Sequence, residues 1–234
     1  MISRRVLSVG AMALALGFAP ALMAQPGPPA DDASLKAPEV IAFMGLKPGD
    51  KVADIVAGRM IRAEATAVGP TGKVYAVEPA EVVKEHPEIL DQVKAGAAAN
   101  PAIVLINQPI NQMALPSGLD AVFIRQNYHD LYDKFMGPAD VPKFNKAVFA
   151  ALKPGGVFVI LDHAAAAGSG LRDTDTIHRI DPARVKTDMT AAGFVFDGES
   201  KVLANPADDH TKMVFDPAIR GKTDQFLYRF RKPK

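Results

Sequence analysis

The chain has 234 residues, 48% hydrophobic and 23% charged, with a formal charge of +1. This is ordinary globular composition, long enough for one α/β domain with a sizeable core and too short for two. No basic surplus points to nucleic acid or anionic lipid, and the lack of cysteine excludes a disulfide scaffold, thiolate chemistry and sulfur-based zinc sites.

Arg4 and Arg5 precede an apolar run over 6–23 that ends in small residues near Ala24. A positive segment, an apolar core and a small-residue cleavage site make 1–24 an export signal. Gly10, Gly17 and Pro20 interrupt the run, which argues against a retained membrane anchor. Ser3-Arg4-Arg5-Val6-Leu7 also resembles a twin-arginine signal. The expected location is the bacterial periplasm, with no stable membrane insertion after cleavage. Without the signal the charge is near −1, 25 basic residues against 26 acidic.

Residues 25–33, rich in Pro, Ala and Asp, read as a linker to a domain over 34–234. Leu35, Val40, Ile41 and Met44 recur at helical spacing and predict a helix over 34–46, with Ser34 as its cap. Lys47-Pro48-Gly49-Asp50 is a turn into a strand at 51–56. An Ala-rich helical stretch ending at Val68-Gly69-Pro70 leads to a second strand at 72–77. Strand, helix, strand at this spacing implies a right-handed crossover in a parallel sheet.

The alternation continues with a helix at 87–99, strands at 103–107 and 119–125, and a helix at 141–152. Lys153-Pro154-Gly155-Gly156 is predicted to turn into a strand at 157–161. A helix at 182–192 has Asp181 as its cap and Gly193 past its end. Strands at 194–200 and 225–230 flank a polar insert. The pattern predicts one Rossmann-like, doubly wound α/β domain with a mostly parallel seven-stranded sheet. Ligands in such sheets sit beyond the carboxyl ends of the strands, so the loops after Val56, Val77, Arg125 and Leu161 matter most.

Those loops carry a family pattern. Val52-Ala53-Asp54-Ile55-Val56-Ala57-Gly58, then Val68-Gly69-Pro70 and Gly72 to Glu78, resemble the first two motifs of class I S-adenosylmethionine-dependent methyltransferases. Leu152 to Gly156 resembles the later motif leading into their fifth strand. Within that superfamily the chain is similar to a group of predicted exported methyltransferases. The shared strings are Asn127-Tyr128-His129-Asp130, Gly170-Leu171-Arg172-Asp173, His178-Arg179-Ile180-Asp181-Pro182, and Asn205-Pro206 with Asp208-Asp209-His210. The resemblance spans nearly the whole chain after the signal.

It implies S-adenosylmethionine as cofactor, a small-molecule acceptor, and cofactor contacts from Asp54, Gly58, Glu78, Asn127 and Tyr128. Glu78, at the end of the second strand, would accept hydrogen bonds from the ribose hydroxyls. Asp54 would order the loop or reach the methionyl ammonium; the alternative is an outward-facing strand-end residue. Tyr128 would stack on adenine or substrate. The loop itself departs from the pattern: Ala57-Gly58-Arg59-Met60-Ile61 holds one glycine where related sequences carry two or three. Either Arg59 rebuilds the pocket by pairing with the methionyl carboxylate, or cofactor binding is lost.

Methyl transfer from a sulfonium needs alignment, desolvation and a base for the acceptor's proton. His129, Asp130 and His163 are the catalytic candidates, with Asp130 and Asp162 beside the rings to orient them or raise a pKa. The alternative is that Asn127 to Asp130 form a capping and turn string. His178, Asp181, Asp208, Asp209 and His210, with His163, have metal-ligand chemistry, but their spacing matches no metal motif and no metal is assigned. Arg172, Asp173, His178 and Arg179 read instead as a polar lid or ion-pair network.

Three functions stay open: an exported methyltransferase, a binding protein of the same fold that has lost catalysis, and another acid–base or hydrolytic enzyme on the scaffold. The cytoplasmic origin of the methyl donor weighs against the first. A dehydrogenase is excluded, because no Gly-x-Gly-x-x-Gly follows the first strand.

Overall fold

Short apolar runs separated by glycine and proline turns become the strands of a single sheet. The computed structural model describes residues 35–137 and 139–234; the export signal, the linker and Ser34 lie outside them. In chain order the elements are α1 (Ala37–Met44), β1 (Lys51–Ile55), α2 (Ile61–Val68), β2 (Lys73–Pro79), α3 (Ala80–Glu85), α4 (Glu88–Ala99) and β3 (Ile103–Gln108). They continue with β4 (Leu119–Arg125), α5 (Val141–Ala151), β5 (Leu152–His163), α6 (Thr174–Ile177), α7 (Pro182–Ala192), β6 (Val195–Ser200) and β7 (Gln225–Arg231).

The sheet has seven strands in the order β3-β2-β1-β4-β5-β7-β6. Strands β1 to β5 pair in parallel, and β7 runs antiparallel to both of its neighbours. The order reverses between β1 and β4, which opens a crevice beyond their carboxyl ends. Alternate residues feed two cores, one on each face of the sheet. Ile55, Val122, Ile124, Phe158 and Ile160 pack with α5 and α7 through Phe144, Val148, Val185 and Met189. Val52, Val74, Phe123, Val159 and Leu161 pack with α1, α2 and α4 through Val40, Met44, Val68 and Val93. Strands buried on both faces read as continuous apolar runs, as parallel sheets require.

The ends of α7 follow the sequence signals, whereas α1, expected over 34–46, spans Ala37–Met44 after a left-handed Lys36 with no side-chain cap. The Asp181 carboxylate accepts a hydrogen bond from the Ala183 amide, and Gly193 closes α7 in the left-handed conformation at φ 102°. Asp140 caps α5 in the same way through the Lys143 amide. Two expectations need correction. Residues 153–156 are not a free turn but the irregular start of β5, with a register shift between Leu119 and Ala121. Gly156 is needed there, because a Cβ would stand 2.9 Å from the Lys153 carbonyl oxygen and 3.1 Å from that of Leu119. The short helix α3, straight after β2, has no counterpart in the sequence reading. Among the described residues no helix is long and apolar enough to cross a membrane.

Candidate active site

The switch between β1 and β4 carries a cleft of two adjoining chambers. One, about 640 Å³, is lined by Asp54, Gly58, Arg59, Phe123, Arg125 and Asn127, among others. The other, about 290 Å³, is lined by Arg125, Asn127, His129, Asp130, His163 and His178, among others. Val56, Ile89, Arg125 and Asn127 border both. The larger chamber falls within the size range of small-molecule sites.

The loop after β1 forms the floor. Asp54 points to the α2 side of the sheet, where its carboxylate accepts from the Gly58 amide at 3.4 Å. Burial lifts its pKa to about 7, against the pull of that amide and of the Arg125 charge. Glu64 of α2 lies fully buried beside it, and burial with the nearby Asp54 holds its carboxyl well above the usual range. Paired like charges cannot both ionise cheaply, so the Asp54 charge adds to burial in opposing ionisation of Glu64. The helix stripe Ile61, Glu64, Ala65, Val68 carried this signal: an acid at an inward position of an apolar face.

Gly58 borders the cleft, yet it is not the residue that uses glycine's freedom. A Cβ there would meet nothing closer than 3.8 Å. The left-handed residue is Val56, at φ 55°, a conformation that costs an L-residue about 1–2 kcal/mol. Met60, a bulky residue where backbone should approach the cofactor, is 1% exposed and packs into the core, while still lining the larger chamber. Arg59 lines the cleft as expected. Arg125, the last residue of β4, joins it; burial and then the Arg59 charge lower its pKa to about 10.

Glu78 ends β2 fully buried and does not border either chamber. Neither of its carboxyl oxygens has a hydrogen-bond partner. Burial and the Asp54 charge raise its pKa to about 8, while the Ala57 amide pulls the other way. An unfolded Glu ionises near about 4.3, so between that pH and about 8 the folded state holds the extra proton. This contribution to stability is complete below the unfolded pKa and is lost as pH rises through the folded one. Glu78→Gln is expected to gain on the parent protein by on the order of 2–4 kcal/mol between about pH 5 and pH 8, read by urea unfolding. A constant difference across that range would refute the buried protonated state.

The residues after β4 diverge. Asn127 lines both chambers and donates from Nδ2 to Asp130 at 2.7 Å. Tyr128 does not reach the cleft: it is fully buried in the core, its hydroxyl accepting from Asn145 Nδ2 at 2.9 Å. Stacking on adenine is therefore not its role in this geometry. His129 is held on both nitrogens, with Nδ1 at 2.8 Å from Asp162 and Nε2 at 3.0 Å from Asp130. Burial opposes its charge, but the two carboxylates outweigh burial and hold the ring's pKa well above its ordinary value. A ring so held is a poor base, which corrects its expected role. For Asp130 burial likewise works upward, and the His129 charge overrides it, so the carboxyl stays ionised.

His163 is the ring that stays neutral. It lines the smaller chamber, and its Nδ1 lies 2.8 Å from the Thr223 hydroxyl. Burial, then the neighbouring His129 and Arg125 charges, keep its pKa well below 6.5. With the proton on Nδ1, Nε2 offers a lone pair at neutral pH.

The later acids and histidines do not gather as one set. Asp181 is committed to backbone amides of Gly168 and Ala183, Asp208 to Arg179, and His210 to Asp224. Arg172 pairs with Asp173 at the surface, whereas Arg179 is an internal anchor rather than part of a lid. Only His178 reaches the cleft, beside His129 and the unanticipated Asp133.

Solved structures share this architecture. An S-adenosylmethionine-dependent methyltransferase from Aquifex aeolicus superposes with a TM-score of 0.60 at 19% identity, over 84% of this chain and 89% of that one. The N-methyltransferase NodS from Bradyrhizobium japonicum gives 0.58 at 13% identity, over 89% and 99%. A possible exported protein from Bordetella parapertussis gives 0.53 at 17% identity, over 87% and 68%. No family model matches the chain, and no curated protein does. The strand order, the antiparallel β7 and these superpositions establish that the chain has the fold of class I S-adenosylmethionine-dependent methyltransferases.

Proposed function

We propose that the protein is an S-adenosylmethionine-dependent methyltransferase acting on a small molecule outside the cytoplasm. The observation that carries the reading is Glu78: a buried carboxyl with both oxygens unpartnered, at the end of β2 and kept from the cleft by the loop at Ala57. A ribose diol offers the two donors those oxygens lack. Arg59 and Arg125 supply cationic partners for a methionyl carboxylate in the larger chamber. The residues thus fit the cofactor, provided the Val56–Gly58 segment moves aside from Glu78. The left-handed Val56 makes the closed loop a shallow state.

Bound there, S-adenosylmethionine would supply a methyl group on a sulfonium, an electrophile that needs no further activation. The protein's own work is positional. Arg59 and Arg125 orient the anionic end, and the apolar walls from Ile89 and Phe123 exclude water. His163 accepts the acceptor's proton, while the fixed His129 cation and its carboxylates set the local field. The paired arginines at 4–5, the apolar run behind them and the likeness to a possible exported protein support the location.

One observation favours a second reading, a binding protein of this fold that has lost catalysis: the closed loop keeps Glu78 out of the cleft. Calorimetric titration of the full chain with S-adenosylmethionine and S-adenosylhomocysteine decides between them. Micromolar binding, about −8 kcal/mol, weakened at least about tenfold by Glu78→Ala, supports the methyltransferase. Absent or millimolar binding of both ligands overturns it.

A further inference from the structure

Four ligand-type atoms converge on the wall of the smaller chamber: His129 Nε2, His178 Nδ1 and one oxygen each from Asp130 and Asp133. All lie within 4.8 Å of one another. The separations are 3.0 Å from His129 Nε2 to Asp130 Oδ1, 3.3 Å between the two ring nitrogens, 3.5 Å from His178 to Asp130, and 3.8 Å from His178 to Asp133. Ligands about 2.0–2.1 Å from a tetrahedral centre stand about 3.3–3.4 Å apart. Four of the cluster's six edges lie between 3.0 and 3.8 Å, close to that spacing, and the other two are no longer than 4.8 Å.

Two further features point to a ligand. Asp133 is 1% exposed, and neither of its carboxyl oxygens has a hydrogen-bond partner. A buried carboxyl is expensive to leave in that state. The surroundings are also those of supported ligands: Asp162, 2.8 Å from His129 Nδ1, orients the ring, and the proton that Nε2 shares with Asp130 in the cation-free protein leaves when a cation takes its place. Asn127 Nδ2 holds the other oxygen of Asp130, turning Oδ1 inward.

From this geometry we propose that His129, Asp130, Asp133 and His178 bind one divalent cation of the zinc class. Two carboxylates balance its charge. Two imidazoles with two oxygens, and no thiolate, suit a borderline cation better than calcium or magnesium, which take six or more oxygens. His178 is a quarter exposed on the cleft side, so the cation faces the chamber that His163 also lines. If the cleft methylates, an acceptor oxygen on that cation would lie within the His163 chamber; this last point alone rests on the methyltransferase reading.

The test uses the full chain, stripped with a chelator and titrated with Co²⁺ alone, in the absence of S-adenosylmethionine. The expected result is one Co²⁺ per chain, with the intense visible bands of four-coordinate cobalt, displaced by one equivalent of Zn²⁺. Asp133→Asn and His178→Gln should each weaken binding at least about tenfold, while His210→Gln, outside the cluster, should not change it. His178→Gln alters a partly exposed side chain, so it remains informative if Asp133→Asn fails to fold. No saturable 1:1 binding, six-coordinate cobalt spectra, or equal affinity in His178→Gln would overturn the site. Because no methyl donor is present, this outcome is separate from that of the donor titration.

Discussion

Arg179→Leu is expected to destabilise the fold by about 3–5 kcal/mol, the usual consequence of removing one partner of a buried ion pair. Arg179 is completely buried, and its guanidinium meets the Asp208 carboxylate at 2.8 Å and the carbonyl oxygens of Ala164 and Lys212 at 2.9 and 3.0 Å. Asp208 in turn accepts from the amides of Asp224 and His210. One side chain thereby ties the polar insert between β6 and β7 to the end of β5. Losing it leaves a buried carboxylate and two carbonyls without their donor. Urea denaturation reads the effect directly; a loss below about 1 kcal/mol would mean that water replaces the guanidinium. Asp208→Asn, which retains an acceptor for the amides, is expected to cost less.

The second large effect concerns turnover. His163→Gln should lower methyl transfer by about 10²–10⁴-fold, the usual worth of a positioned base, with S-adenosylhomocysteine affinity unchanged within about twofold. His129→Gln should instead reduce stability, because it strips two buried carboxylates of their shared partner. The pH profile adds an independent check. A free histidine base fails as pH falls through about 6.5, whereas burial holds His163 neutral well below that. Activity should therefore persist on the acid side of pH 6.5. An acid limb centred there would remove His163 from this role.

Much of the fold was legible because its signals are local. Strand and helix boundaries followed apolar periodicity, and both ends of α7 were readable from Asp181 and Gly193. The strand order placed the loops after β1, β2, β4 and β5 at one edge, which located the cleft. What escaped was set by partners distant in sequence. Tyr128 reads as a loop aromatic beside a histidine, yet Asn145 and Asp188 hold its hydroxyl inside the core. Asp130 and Asp162 both read as acids beside a ring, but only the fold puts both on His129, one on each nitrogen. Asp133 became a site candidate only when a left-handed His178, at φ 55°, brought its ring against it. The shortage of glycine in the loop was visible, but not that Val56 adopts a glycine-like φ there.

Cofactor binding at this site requires the Val56–Gly58 loop to open and give Glu78 to a ribose. The most direct measurement is a crystal structure of the full chain with S-adenosylhomocysteine. The ligand is expected in the cleft between β1 and β4, its ribose hydroxyls on the Glu78 carboxyl and its carboxylate near Arg59 and Arg125. A ligand bound with Glu78 still covered by Ala57, or no ligand in that cleft at saturating concentration, would contradict it.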